Sequence, residues 1–74
     1  MNNIIEKENK FKKLAENRVN NTIKNIQLIG NLANTSNYEY TDESVKKIFK
    51  TIREELIIVE SKFKDRNRNK GFKL

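Results

Sequence analysis

The sequence contains neither cysteine nor histidine, and these two absences exclude several classes of function. Without cysteine the chain forms no disulfide and offers no thiol nucleophile. Without histidine it lacks the most common general base, and it has no member of the usual Cys and His ligand sets for zinc. We therefore predict a protein that is not an enzyme and that binds no metal and no cofactor.

Proline is also absent, and glycine occurs only at positions 30 and 71, so nothing interrupts a helix before residue 30. No apolar run approaches the roughly 18 residues of a membrane-spanning helix. The segment MNNIIEKENK lacks the apolar centre of a signal peptide. The sequence therefore predicts a cytoplasmic protein with no membrane segment.

A chain of 74 residues makes one domain at most, and a domain this small buries only about 60 % of the surface that its unfolded form exposes. Small domains gain the missing stability from disulfides, metals, very good helix packing or oligomerisation. Since this chain has no cysteine and no histidine, we expect it to form a homo-oligomer.

Apolar residues recur at helical spacing in both halves of the chain. The stripe in the first half comprises Phe11, Ala15, Val19, Thr22, Ile26, Ile29 and Ala33. The seam in the second half comprises Val45, Phe49, Ile52, Leu56, Val59 and Phe63. We predict one helix over about residues 4–34 and a second over about 42–63. Thr41 is the expected N-cap of the second helix, with Tyr40 packing on Val45.

These patterns predict an all-α fold. Residues 1–63 form an antiparallel two-helix hairpin, and the hairpins assemble into a homo-oligomeric helical bundle. A second partner is expected because Leu56–Val59 is a continuous apolar run that wraps more than half of its helix. The expected interface residues are Val19, Ile26, Ile29, Phe49, Leu56, Ile57 and Ile58.

Residues 64–74 form a basic tail with five basic residues and one acidic residue, which supplies +4 of the total charge of +6. Tails of this composition are usually disordered. The tail can grip nucleic-acid phosphates, or it can simply keep the protein soluble. The second helix carries a basic stripe, which can also bind phosphates or can simply be the solvated side of that helix. The nucleic-acid candidates are Lys46, Lys50, Arg53, Arg66, Arg68 and Lys70.

Two further groups of residues suggest a site for a small anionic ligand. Arg18, Asn21 and Asn25 lie at steps of three and four, so one helix face offers donors for a phosphate and amides for a base edge or ribose. The alternative is a solvated face, or a polar layer that sets the register of an assembly. The remaining candidates are Asn34, Asn37, Tyr38 and Tyr40, in the connection between the helices. A tyrosine there can stack on a flat ring, or it can pack at a protein interface.

The segments RVNNTIKNIQLIGNLANTSNYEYT and VKKIF resemble a pattern in short proteins encoded by phages, prophages and other mobile elements. The similarity covers about residues 11–63. No settled activity belongs to this pattern. In size and architecture the predicted hairpin is also similar to phage sponge proteins, which oligomerise and sequester cyclic nucleotide signals of host defence.

The resemblance implies a counter-defence protein that binds a nucleotide-type ligand in the host bacterial cytoplasm. One alternative is an inhibitor that places its apolar helix face on a host defence protein. The other is an accessory protein that binds nucleic acid through its tail and basic stripe.

Overall fold

A computed structural model describes the backbone of residues 2–71 and the side chains of residues 3–64. The chain divides into two units, Met1–Glu39 and Tyr40–Leu74. Every regular element of the described backbone is helical, with no strand. The all-α prediction is therefore confirmed.

The first unit contains α1, Asn2–Gly30, which continues into a short 3₁₀ helix, Asn31–Ala33. The polar residue of its apolar stripe, Thr22, has a local hydrogen-bond partner. Its hydroxyl donates to the carbonyl oxygen of Arg18 at 2.8 Å. Since the hydroxyl is bonded to the helix backbone, the methyl group of Thr22 extends the apolar stripe without an unpaired donor.

At the end of α1, Gly30 keeps the right-handed helical conformation and does not adopt the left-handed one in which glycine often ends a helix. Gly30 has φ −59° and ψ −31°, and no neighbouring atom would lie within 4 Å of a Cβ placed there. The chain leaves the helical conformation at Asn34, where φ is −69° and ψ is 102°. The predicted end near residue 34 is therefore close, although the last turn is 3₁₀ and the backbone does not itself require glycine at position 30.

The second unit contains α2, Asp42–Gly71, and its start confirms the predicted N-cap. The backbone N–H of Ser44 donates to Oγ1 of Thr41 at 3.0 Å, and the Val45 N–H donates to the Thr41 carbonyl at 3.1 Å. The Thr41 hydroxyl in turn donates to Oγ of Ser44 at 3.0 Å. Asp42 and Glu43 occupy the first turn, where the helix dipole favours negative charge.

The end of α2 differs from the prediction. The helix was expected to stop near residue 63 and to be followed by a disordered tail, but its backbone continues to Gly71. The apolar period ends at Phe63, whereas the helix persists because residues 64–70 contain no glycine or proline and include four lysine or arginine residues, which are good helix formers. Phe72, Lys73 and Leu74 lie outside the described residues.

The apolar side chains of both units lie at the helix surface. None of residues 3–64 is buried, and the half-buried positions include Ala15, Ile29, Val45 and Ile52. Leu56 and Ile57 are each 64 % exposed. Because an amphipathic helix is stabilised mainly by packing its apolar face, these surfaces require a packing partner.

Neither helix, within the part of the chain that the structure describes, has the length and apolarity needed to cross a membrane.

The cap of α2 gives a first testable prediction. Thr41→Ala removes the acceptor of the Ser44 N–H, so we expect the free energy of unfolding to fall by about 1 kcal/mol. Thermal unfolding followed by circular dichroism measures this change. Thr51→Ala is the matched control, because the Thr51 hydroxyl donates to a mid-helix carbonyl, that of Lys47, at 2.8 Å. An equal loss in both variants would contradict the capping role.

Candidate functional site

The predicted ligand residues of the first unit fall into two groups. Arg18, Asn21 and Asn25 lie on α1, and all three are exposed. Their steps of three and four place them on one helix face. This face therefore carries one guanidinium and two carboxamides within about two helical turns.

The second group is organised by a compact turn around Asn34. Oδ1 of Asn34 accepts the backbone N–H of Ser36 at 3.0 Å. Its carbonyl accepts the N–H groups of Asn37 and Tyr38 at 3.2 and 3.1 Å. A side-chain oxygen that bonds the backbone two residues ahead is an Asx turn, which is why Asn is favoured at this position. Asn34 therefore has a structural role that the sequence analysis assigned only in part, as a helix end.

The turn holds Tyr38 with about half of its side chain accessible, since it is 48 % exposed. A ring presented in this way can stack on a base or pack on a protein surface. Asn37, next to it, is also exposed. Both interpretations of Tyr38 are compatible with this geometry.

Tyr40 belongs to the second unit, one residue before the Thr41 cap. It is 47 % exposed, and Val45 is half-buried. The expected packing of Tyr40 on Val45, and its role in ligand binding, stay predictions.

The two groups of the first unit are well separated along α1. The helical rise from Arg18 to Gly30 alone amounts to about 18 Å, which exceeds the reach of any single side chain. A site that combines Arg18 and Tyr38 within one chain therefore has to span this rise.

The basic stripe on α2 is present at helical spacing, and Lys46, Lys50 and Arg53 are all exposed. Further along α2, Nζ of Lys64 lies 3.8 Å from Oε1 of Glu60. An exposed pair of this kind contributes at most a few tenths of a kcal/mol, about 0.3–0.5 for i,i+4 spacing. Arg66, Arg68 and Lys70 fall on the described backbone of α2, but their side chains lie outside the described residues.

Other features of the described side chains do not add a site. Residues 3–64 contain no group of three carboxylates, histidines or cysteines that is arranged to hold a metal ion. A shallow depression on α1 is lined by Ala15, Glu16, Val19 and Asn20, and it contains no predicted ligand residue. It lies at the edge of the apolar stripe, where a neighbouring helix would be expected to pack.

The Asx turn gives a second testable prediction. Asn34→Ala removes the side-chain acceptor of the Ser36 N–H, so we expect the amide of Ser36 to exchange with solvent several-fold faster, in line with a net hydrogen-bond contribution of about 1 kcal/mol. Amide exchange measured by NMR checks this. Asn34→Asp keeps the acceptor and should exchange as the parent protein does. Unchanged exchange in Asn34→Ala would contradict the turn.

Comparison with protein-family models, with curated proteins and with solved structures gave no match for this chain. Residue conservation and the site residues of relatives therefore contribute nothing to the functional argument.

Proposed function

We propose that the protein folds as an antiparallel hairpin, assembles with further copies of itself, and sequesters a small anionic nucleotide-type ligand without chemical turnover. The observation that supports this most directly is the combination of two exposed apolar stripes with an adjacent face of arginine and asparagine on α1. The stripes require assembly, and the polar face beside them supplies ligand chemistry.

The hairpin is supported by a match between the stripe of α1 and the seam of α2. Counted away from the connection, the stripe runs in steps of four, three, four, three and four from Ala33 to Ala15, and the seam repeats these steps from Val45 to Phe63. Antiparallel packing therefore brings six positions of each helix into register. The pairs are Ala33 with Val45, Ile29 with Phe49, Ile26 with Ile52, Thr22 with Leu56, Val19 with Val59, and Ala15 with Phe63.

The sizes of the paired residues also agree. Phe63, one of the two phenylalanines of the seam, falls opposite Ala15, and Leu56 falls opposite Thr22. Interdigitating large with small side chains is how helices fill the space between them. In this register, side chains such as Ile26, now 47 % exposed, would be removed from water, and that burial is the main source of stability.

The same register places the polar face of α1, with Arg18, and the basic stripe of α2 on opposite sides of the hairpin. Arg18, Asn21 and Asn25 flank the α1 stripe on one side of the hairpin, whereas Lys46 and Arg53 flank the seam on the other side. A positive groove that combines them therefore requires two hairpins. This agrees with the separation of Arg18 from the turn, which also favours a site built from more than one chain.

Within such a site each residue type has a definite task. The guanidinium of Arg18 pairs with a phosphate, since its planar donors match two phosphate oxygens. The amides of Asn21 and Asn25 read ribose or a base edge, together with those of Asn34 and Asn37. The ring of Tyr38, or that of Tyr40, stacks on the base.

The biological setting is proposed from the pattern that this chain shares with short phage and prophage proteins. A small helical oligomer that removes a nucleotide signal would protect a phage from a host defence that depends on that signal. This setting places the protein in the host bacterial cytoplasm.

A second candidate is an inhibitor that binds a host defence protein. Ile57 and Ile58 favour it, because they are 64 % and 54 % exposed and lie outside the seam that the hairpin would cover. An apolar pair on the polar side of a helix is suited to a groove on another protein.

The hairpin gives a third testable prediction. The chain has no cysteine, so the two introduced thiols are the only ones in a Val19→Cys/Val59→Cys variant. We expect an intramolecular disulfide under mild oxidation, because the register places these positions opposite each other. Mass spectrometry after thiol alkylation measures it. Ile23→Cys/Val59→Cys, one turn out of register, is the control, and equal cross-linking in both variants would rule out this register.

The ligand site gives a fourth prediction, tested by calorimetric titration with cyclic di- and trinucleotides and with 5′-AMP as a linear control. We expect at least one cyclic nucleotide to bind. Arg18→Ala should raise its Kd about tenfold or more, since a charge-assisted hydrogen bond contributes about 1.5–3 kcal/mol. Tyr38→Ala should weaken binding, whereas Tyr38→Phe, which keeps the ring, should bind as the parent does.

Lys13→Ala is a suitable control for charge, because it removes one exposed positive charge from α1 away from the proposed site. If Arg18→Ala and Lys13→Ala weaken binding equally, only net charge matters and the proposed site is wrong. If no nucleotide binds, sequestration is wrong and the inhibitor becomes the leading candidate.

A further inference from the structure

Beside its apolar stripe, α1 carries a second face with a regular heptad spacing. We call this face the polar seam, and it runs in steps of four, three, four, three and four. Its members are Leu14, Arg18, Asn21, Asn25 and Leu28 on α1, followed by Leu32 in the adjoining 3₁₀ helix. Apolar residues stand at its ends and polar residues at its centre. Leu28 and Leu32 are 61 % and 47 % exposed, so this face too is without a packing partner in the described residues of its unit.

The spacing of the polar seam is the same in both directions from its midpoint, Ile23. The seam of one chain can therefore pair residue by residue with that of an antiparallel copy. In an antiparallel pair of α1 helices, Asn21 of one chain meets Asn25 of the other. Leu14 then meets Leu32, and Arg18 meets Leu28. We propose that this face is a self-association surface, whose occupant is the polar seam of a second copy of this chain, antiparallel to it about a two-fold axis near Ile23.

Charge and hydrogen bonding favour this occupant and this direction. A parallel pair would place the two Arg18 guanidinium groups against each other, and like charges in contact are unfavourable. The antiparallel pair separates them by about 15 Å along the axis, at 1.5 Å per residue. It also brings the carboxamides of Asn21 and Asn25 together, and each carboxamide has both donors and an acceptor.

The central asparagines set the register. A shift of one heptad would place an asparagine against a leucine and leave its amide without a partner in the interface, which costs more than the hydrogen bond contributes. Asparagine at a core position of a coiled coil specifies the pairing in the same way, at some cost in stability. The leucines at the two ends supply the apolar contact.

This inference depends on the proposed function only in assuming that copies assemble, and it deepens that proposal by assigning the contact. It moves Asn21 and Asn25 from ligand recognition to the interface between copies, so that Arg18 and the residues of the turn carry the ligand contacts. Arg18 lies near the edge of that interface, where its guanidinium stays accessible to an anion while its aliphatic stem covers Leu28.

Cysteine pairing between separately purified full-length variants tests the proposal in the absence of any ligand. Asn21→Cys and Asn25→Cys are oxidised with glutathione disulfide, each alone and as an equal mixture, and the products are separated by non-reducing electrophoresis. We expect a disulfide-linked dimer in the mixture and not with either variant alone. In Asn21→Cys alone, the two cysteines of a pair are offset by about 6 Å along the helix axis. This offset adds to the distance between the helices, and the total separation exceeds the reach of a disulfide.

Each other result overturns the proposal. Dimers of Asn21→Cys alone and of Asn25→Cys alone would mean parallel pairing, and no dimer in the mixture would mean that the face does not pair with itself. If either variant loses helical circular dichroism, a mixture of Leu14→Cys with Leu32→Cys tests the same register. The nucleotide titration is a separate measurement, so failure of the pairing and failure of ligand sequestration are distinguishable.

Discussion

The apolar stripes of the two helices are the constraint on which the rest of this protein depends. No large apolar side chain among residues 3–64 is buried, and most are well exposed, such as Ile4 at 67 % and Leu56 at 64 %. A helix can bond its own backbone, but it cannot bury its own side chains. Stability must therefore come from other helices, whether of the same chain or of other copies.

Local hydrogen bonds shape the turn after α1 and the start of α2, and they do so without tertiary contacts. Thr41 accepts the N–H of Ser44 at 3.0 Å, and Asn34 accepts the N–H of Ser36 at the same distance. These bonds shape the connection that carries Tyr38. The ring is thus displayed by the turn itself, and a partner or ligand would find it already positioned.

The arrangement of α1 suggests how assembly and ligand binding are related. Its stripe has the same spacing as the seam of α2, and we propose that its polar seam pairs with a second copy of the chain. Two neighbouring faces on one helix, each with its own partner, are the minimum needed for a bundle of hairpins. In the proposed bundle Arg18 would lie near a boundary between chains, where its positive charge attracts an anion.

The sequence predicted some features well because they depend on residues that are close together in the chain. The helical period, the Thr41 cap and the break near residue 34 all depend on neighbours within one or two turns. The prediction for the end of α2 was wrong because an apolar period reports a packing face, and a helix can continue beyond that face. Gly30 has the φ of an ordinary helix, −59°, so the helix passes through this glycine before it ends.

The sequence by itself therefore determined the fold class, the apolar stripes and the residue types available for function. The three-dimensional structure decided where the backbone leaves the helical state, that Asn34 uses its side chain to close the turn, and that Arg18 lies a long helical rise away from that turn. The physical reason is that period and capping act over a few residues. The hydrogen-bond geometry of a turn, and the distance between two groups, depend on the backbone path that the chain follows in space.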